Sequence, residues 1–183
     1  MSAPFSATVV LVEFSDDLIT LNRVVGIMRR RNLAVVSLSL GPAPGSGRRG
    51  LTAVLADDAA TVSRLVNQLR KTSGVILALV RPENECLTRE QMLVRVRVAP
   101  MHLAALLDAV ALYDAHIIEE SPEELLLEAT GAAPLLGSLL RALEPFGVLA
   151  HARGGALALP RTPPSAAARR AATGPRAAKA VPA

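Results

Sequence analysis

The chain has no tryptophan, one tyrosine and three phenylalanines in 183 residues, so aromatic side chains make up only 2% of it. Its core must therefore be built from Val, Leu, Ile and Ala. A nucleic-acid binder that stacks bases on aromatic platforms would have almost nothing to stack with, so no nucleic acid is expected among its partners. There is one cysteine, Cys86, which cannot form an intrachain disulfide; its neighbour is Glu85, and no histidine stands near it in sequence. His102, His116 and His151 are scattered and form no metal-ligand spacing with Cys86. No apolar run approaches the roughly 20 residues of a membrane span and no secretory leader is evident. We therefore expect a cytoplasmic protein with no membrane partner. Acid is missing from the end of the chain: residues 161–183 carry Arg161, Arg169, Arg170, Arg176 and Lys179 and no Asp or Glu. This +5 exceeds the net +4 of the whole and leaves residues 1–160 at −1. Basicity belongs to this Pro/Ala/Arg tail, which is expected to be disordered and accessory.

What is present is an ordered series of apolar elements. Thr8–Glu13 is β-branched and apolar on both faces, as a central strand would be. The acidic loop Ser15-Asp16-Asp17 follows, and Thr20, Asp16 or Asp17 caps a helix whose stripe is Leu21, Val24, Val25 and Met28. Gly26 within it implies close packing by a strand or a partner helix. Arg29, Arg30 and Arg31 stand at the helix end, where positive charge is favoured. Leu33–Leu40 is apolar enough to suggest an interior strand. Gly41–Gly47 is a turn without the spacing of a phosphate-binding loop. A strand from Leu51, a helix over 59–70 and a strand from Val75 complete a β-α-β-β-α-β order.

The order begins again after a connector at 82–87. Thr88-Arg89-Glu90-Gln91 enters the strand MLVRVRV, in which Arg95 and Arg97 alternate with Val94, Val96 and Val98, so one face carries arginines toward water or a partner. A helix over 100–113 turns Leu103, Leu106, Leu107 and Val110 inward, and a Glu119–Glu124 hairpin turn is read as solvated. A helix over 131–144 follows, with Leu135, Leu136, Leu139, Leu140 and Leu143 inward, and strand 148–152 ends the repeat. The fold class expected is α+β, with tandem ferredoxin-like domains at 1–84 and 85–160 and the tail at 161–183. No nucleophile, base and orienting group fall into a motif, so no catalytic residue, cofactor or metal site is assigned. The first loop suits other chemistry: backbone N–H groups at the helix start can hold an amino acid's carboxylate, a polar side chain there can hold its ammonium, and an open sheet edge can pair with a second copy.

Several of these residues resemble the small regulatory subunit of acetohydroxyacid synthase, also called acetolactate synthase. Leu21-Asn22-Arg23-Val24-Val25-Gly26, Ser37-Leu38, and above all Thr88-Arg89-Glu90-Gln91-Met92-Leu93-Val94-Arg95-Val96 carry the resemblance. The last of these is similar to the family's Arg-Glu-x-Met-Leu-Val signature, and Ala152-Arg153-Gly154-Gly155 resembles its last conserved strand. The resemblance implies an N-terminal ACT domain, a ferredoxin-like C-terminal domain and a homodimer formed through the ACT domains. It also implies no catalytic activity alone. The partner is a large catalytic subunit, which carries thiamine diphosphate, magnesium and FAD and is activated by this chain in branched-chain amino-acid biosynthesis. Feedback by a branched-chain amino acid, usually valine, is part of the family pattern. The effector residues it implies are Asp16, Asp17, Leu18, Ile19, Ala34 and Val35, and the partner face is assigned to Arg95 and Arg97. Asp16 stands where the family has asparagine and Ile19 where it has glycine. A free-standing ACT-type amino-acid sensor is the alternative.

Overall fold

The computed structural model describes residues 7–173, which separate into two compact units: the chain up to Leu87 together with the residues from Ala158 onward, and Thr88–Leu157. In the first, β1 (Thr8–Ser15), α1 (Leu18–Arg30), β2 (Val35–Pro42), β3 (Arg48–Leu55), α2 (Ala59–Arg70) and β4 (Val75–Pro82) follow in order. The sheet runs β2-β3-β1-β4 with every neighbouring pair antiparallel. β1 is interior, as its two-sided apolar pattern requires, and both Val9 and Val10 are buried although they point to opposite faces. Val24, Ile27 and Met28 of α1 and Val62, Leu65, Val66 and Leu69 of α2 pack on Val10, Val12, Phe14, Leu51, Ala53 and Leu55.

Two expectations are corrected here. The buried stripe of α1 takes Ile27 rather than Val25, which is exposed. β2 is an edge strand, not an interior one: β3 already has β1 on its other side, and no described strand pairs with the outer side of β2. Its Val36, Leu38 and Leu40 consequently remain exposed. At the opposite edge, Leu77 of β4 forms an antiparallel bridge with Thr173.

The second unit contains β5 (Cys86–Arg97), α3 (Leu103–Leu112), β6 (His116–Glu120), β7 (Glu124–Gly131), α4 (Ala133–Leu143) and β8 (Val148–Arg153). Its order β6-β7-β5-β8 is the topology of the first unit over again. The repeat extends to detail. Asn32 after α1 and Asp114 after α3 both take positive φ, 50° and 53°, as short polar residues tolerate at helix ends. The core is Met92, Val94 and Val96 against Leu106, Val110, Leu136, Leu139 and Leu143. Leu107 and Leu135, expected inward, are exposed, because the core needs only one stripe from each helix.

After the second unit the chain returns to the first. There the Arg161 N–H donates to Glu85 O at 2.9 Å, following the short strand β9 (Leu157–Pro160). A disordered tail from residue 161 is not what the structure has for residues 161–173. α5 (Ala166–Ala172) is capped by the Ser165 hydroxyl, which accepts from Ala168 N at 3.1 Å, and Ala172 is buried. The expectation for residues 174–183 lies outside the described residues. No helix among the described residues is long and apolar enough to cross a membrane.

Candidate functional site

The β1–α1 loop is held from several sides by its own chain. Asp17 is the N-cap: its carboxylate accepts from Thr20 N at 2.7 Å and from the Thr20 hydroxyl at 2.8 Å. Thr20 is therefore not the cap but the residue three positions inside it, and it is only 2% exposed. The Thr20 N–H, and then its hydroxyl, hold the Asp17 carboxyl below its ordinary value, because both bonds favour the charged form. Ser15 N–H and Oγ both donate to Gly74 O, at 2.9 and 3.3 Å, and Asp16 N–H donates to Gly47 O at 2.9 Å. The loop thus rests on the β2–β3 turn and on the end of α2.

Asp16 points away from the helix start and accepts from Arg49 Nε at 2.7 Å, both side chains being nearly half exposed. Sequence reasoning did not single out Arg49. Arg49 stands opposite Phe14 in the β1–β3 register, two residues before Asp16, a pairing that no local sequence pattern announces. Leu18 and Ile19, the first two residues of α1, project into solvent at 81% and 65% exposure.

Ala34 and Val35 lie elsewhere. Val35 pairs with Leu55, which pairs with Thr8 at the start of β1, whereas Asp16 follows Ser15 at the end of β1. Seven strand steps at ~3.3 Å put the two groups roughly 23 Å apart in one chain. Ala34 N–H donates to Asp57 Oδ2 at 2.8 Å and its carbonyl accepts from Ala56 N at 2.9 Å, so the entry to β2 is fixed by backbone bonds. The structure brings Asp16, Asp17, Leu18 and Ile19 together and leaves Ala34 and Val35 at the far end of the exposed edge.

In the second unit, Arg95 lies on the sheet face away from the helices and bonds Glu124 at 3.0 Å, with Glu119 at 4.0 Å. Two of the turn glutamates are thus engaged rather than merely solvated. Arg97 is exposed and takes part in no ion pair among the described residues. The two signature motifs meet in space: Arg153 Nε donates to Glu90, and its Nη2 donates to Ala133 O at 3.0 Å. Gly154 N–H donates to Gln91 O at 2.9 Å. This junction clamps β8 and the start of α4 to β5. Sequence reasoning quoted both motifs but did not join them; opposite charges in two motif segments were the available clue.

Cys86 is buried, and desolvation pushes its thiol above the ordinary value. Among the described residues no group of three or more His, Cys, Asp or Glu is arranged to hold a metal ion.

Two units of one topology define a tandem ferredoxin-like protein of the ACT type. Residues 89–162 match a family described as the small subunit of acetolactate synthase. The acetolactate synthase small subunit of Mycobacterium bovis is 33% identical over 143 residues, covering 78% of this chain and 85% of the relative. That of Mycobacterium leprae is 32% identical over 154 residues, covering 84% and 90%. The crystal structure of the acetolactate synthase small subunit from Thermotoga maritima shares the fold, with a TM-score of 0.77 at 22% identity, covering 86% of this chain and 98% of that one. The chain belongs to the acetolactate synthase small-subunit family.

Proposed function

We propose that this chain is a non-catalytic regulatory subunit, located in the cytoplasm, that binds and activates the large catalytic subunit of acetohydroxyacid synthase. The observation that carries this reading is the family match, which spans the signature strand β5 and the Glu90–Arg153 junction. Thiamine diphosphate, magnesium and FAD belong in this reading to the large subunit, and this chain supplies no group to the reaction itself. The partner face assigned to Arg95 and Arg97 keeps one uncommitted guanidinium, that of Arg97, since Arg95 already bonds Glu124.

The effector site is formed by two copies. The open edge of β2 pairs antiparallel with the same edge of a second copy, through backbone groups flanked by exposed Val36, Leu38 and Leu40. A two-fold axis through that edge carries Ala34 and Val35 of one copy to the same end of the sheet as Asp16, Asp17, Leu18 and Ile19 of the other, removing the separation along the strands. The β4 edge suits such pairing less, because Thr173 already bridges to Leu77. A branched-chain amino acid is the ligand in this reading, with its response weakened for two reasons. Asp17 supplies its own carboxylate to the helix start, where a ligand's carboxylate would otherwise sit, and Ile19 adds a side chain over the same ground.

One mixing assay tests both parts. The chain alone is expected to form no acetolactate, and added to a matching large subunit it is expected to raise the rate several-fold. Valine, leucine and isoleucine are then added in turn, with modest inhibition expected. Absence of both complex and rate change would sink the regulatory reading. Full activation with no effector response would leave activation standing and remove the effector site.

A further inference from the structure

We propose that the outward face of α1 and α2 is the surface on which an acidic patch of the large catalytic subunit docks. This rests on the regulatory-subunit reading and names the chemistry of its interface. Neither helix contains an Asp or Glu, whereas Arg23, Arg29, Arg30, Arg31, Arg64 and Lys71 are all exposed on or at the ends of them. Positive charge at a helix C-terminus offsets the helix dipole, which accounts for Arg29, Arg30 and Lys71. It does not account for Arg23 and Arg64, each the sixth residue of its helix.

The acids flanking these helices stay charged and only partly offset this face: Asp17 attracts Arg23 and Asp58 attracts Arg64, and the cations Arg29, Arg30, Arg31 and Lys71 still outnumber the remaining acid, Asp57. Asp17 is bound to Thr20, Asp58 to Thr61, and Asp57 to the Ala34 N–H. No ion pair among the described residues includes any of the six cations. Arg31, Arg64, Asn67, Gln68 and Lys71 line a groove of about 300 Å³ between the helices. Arg31 donates twice to Gln68 Oε1, at 2.9 and 2.7 Å, so the Gln68 acceptor is used and its amide donors remain. A face rich in donors and cations complements a surface rich in carboxylates.

The second unit provides the internal comparison. It has the same topology, yet α3 and α4 carry one acid, Asp108, and one base, Arg141. The fold itself therefore does not call for a basic helix face. The cations extend over nine positions along α1 and eight along α2, roughly 10–12 Å at 1.5 Å per residue, which matches a protein surface better than a single small anion.

The test uses the full chain and the large subunit with its cofactors bound. Affinity is measured across a range of KCl for the wild type, for Arg30→Glu/Arg64→Glu/Lys71→Glu, and for Arg30→Lys/Arg64→Lys. Circular dichroism and sedimentation check folding and self-association. The expected result is a steep loss of wild-type affinity with salt, at least about tenfold weaker binding by the reversed variant, and near-normal binding by the lysine variant. Binding by the reversed variant within twofold of wild type would overturn the proposal while leaving the regulatory reading intact. Loss of self-association instead would reassign the face to a second copy and also overturn it. A wild-type chain that fails to bind the large subunit at any salt would remove the regulatory reading as well.

Discussion

Gly74 closes the turn after α2 with φ +90°, and an ideal Cβ there would lie 2.2 Å from Thr20 Oγ1 and 2.7 Å from Thr20 Cγ2. An alanine at this φ costs about 1–2 kcal/mol in backbone strain alone. Thr20 cannot move aside freely: it is 2% exposed, and its hydroxyl is bonded to Asp17 at 2.8 Å. Displacing it breaks a bond to a charged group and strands a buried hydroxyl, about 1–3 kcal/mol more. Gly74→Ala is therefore expected to destabilise the chain by about 3 kcal/mol. In a Thr20→Ala background the two closest atoms are gone and the nearest Thr20 atom left is Cβ at 3.0 Å. The same change should then cost only the strain, giving a coupling of about 1–2 kcal/mol. Urea unfolding followed by far-UV circular dichroism measures the cycle, tryptophan fluorescence being ruled out by composition. Additivity within about 0.5 kcal/mol would refute the reasoning, since Gly74 would then serve the turn alone.

The Glu90–Arg153 pair, with side chains 11% and 33% exposed, should show a coupling of about 1.5–3 kcal/mol in a Glu90→Gln/Arg153→Met cycle. Arg95–Glu124, at 43% and 36%, should give only about 0.2–1 kcal/mol by the same denaturation measurement; equal couplings would count against the junction as the main clamp of β8. The Thr61 hydroxyl, then its N–H, lower the Asp58 carboxyl, as Thr20 lowers Asp17. Since both folded pKa values lie below the ordinary 3.8, the caps contribute fully above that value and are lost as pH falls through the folded values. Asp17→Asn with Asp58→Asn should flatten that acid limb in an unfolding-versus-pH series, and an unchanged limb would contradict the cap assignment. Cys86 should react with iodoacetamide at neutral pH far more slowly in the native chain than in denaturant, because burial both shields the thiol and raises its pKa. Equal rates by mass spectrometry would refute that.

How far the sequence disclosed the fold depended on how local the signal was. Helix and strand periods depend on neighbours three or four residues apart, so the order of elements and the repeat were legible from Thr8 to Arg153. Whether an apolar strand is interior or at an edge depends on strands far away in sequence. Leu33–Leu40 therefore read as interior although β2 is an edge. The position of the buried stripe on α1 shifted from Val25 to Ile27 for a related reason, since the helix's rotation is set by the sheet beneath it. The tail misled by composition: Ala166–Ala172 has no large apolar residue, but Ser165 caps it and Ala172 finds a buried place. Pairings across long separations, Asp16 with Arg49 and Glu90 with Arg153, had no periodicity to reveal them and were absent from the sequence reading.

Gly26 lies in the middle of α1. Its sequence context suggested close packing by a strand or a partner helix, yet among the described residues an added Cβ would meet only Arg30 Nη1 at 3.4 Å, the far end of a flexible side chain. Within one chain the glycine thus costs helix stability without a packing return, about 1 kcal/mol relative to alanine. Gly26→Ala should accordingly stabilise the isolated chain by about 0.5–1 kcal/mol in thermal unfolding at low concentration. The other expectation, a partner helix against exposed Val25 and Gly26, belongs to the proposed pairing of a second copy along β2. Dimer affinity measured by sedimentation should then fall for the same variant. Monomer stability gained while self-association is lost would mark Gly26 as a contact between copies. Stability gained with self-association unchanged would separate α1 from that contact and confine pairing to the β2 edge.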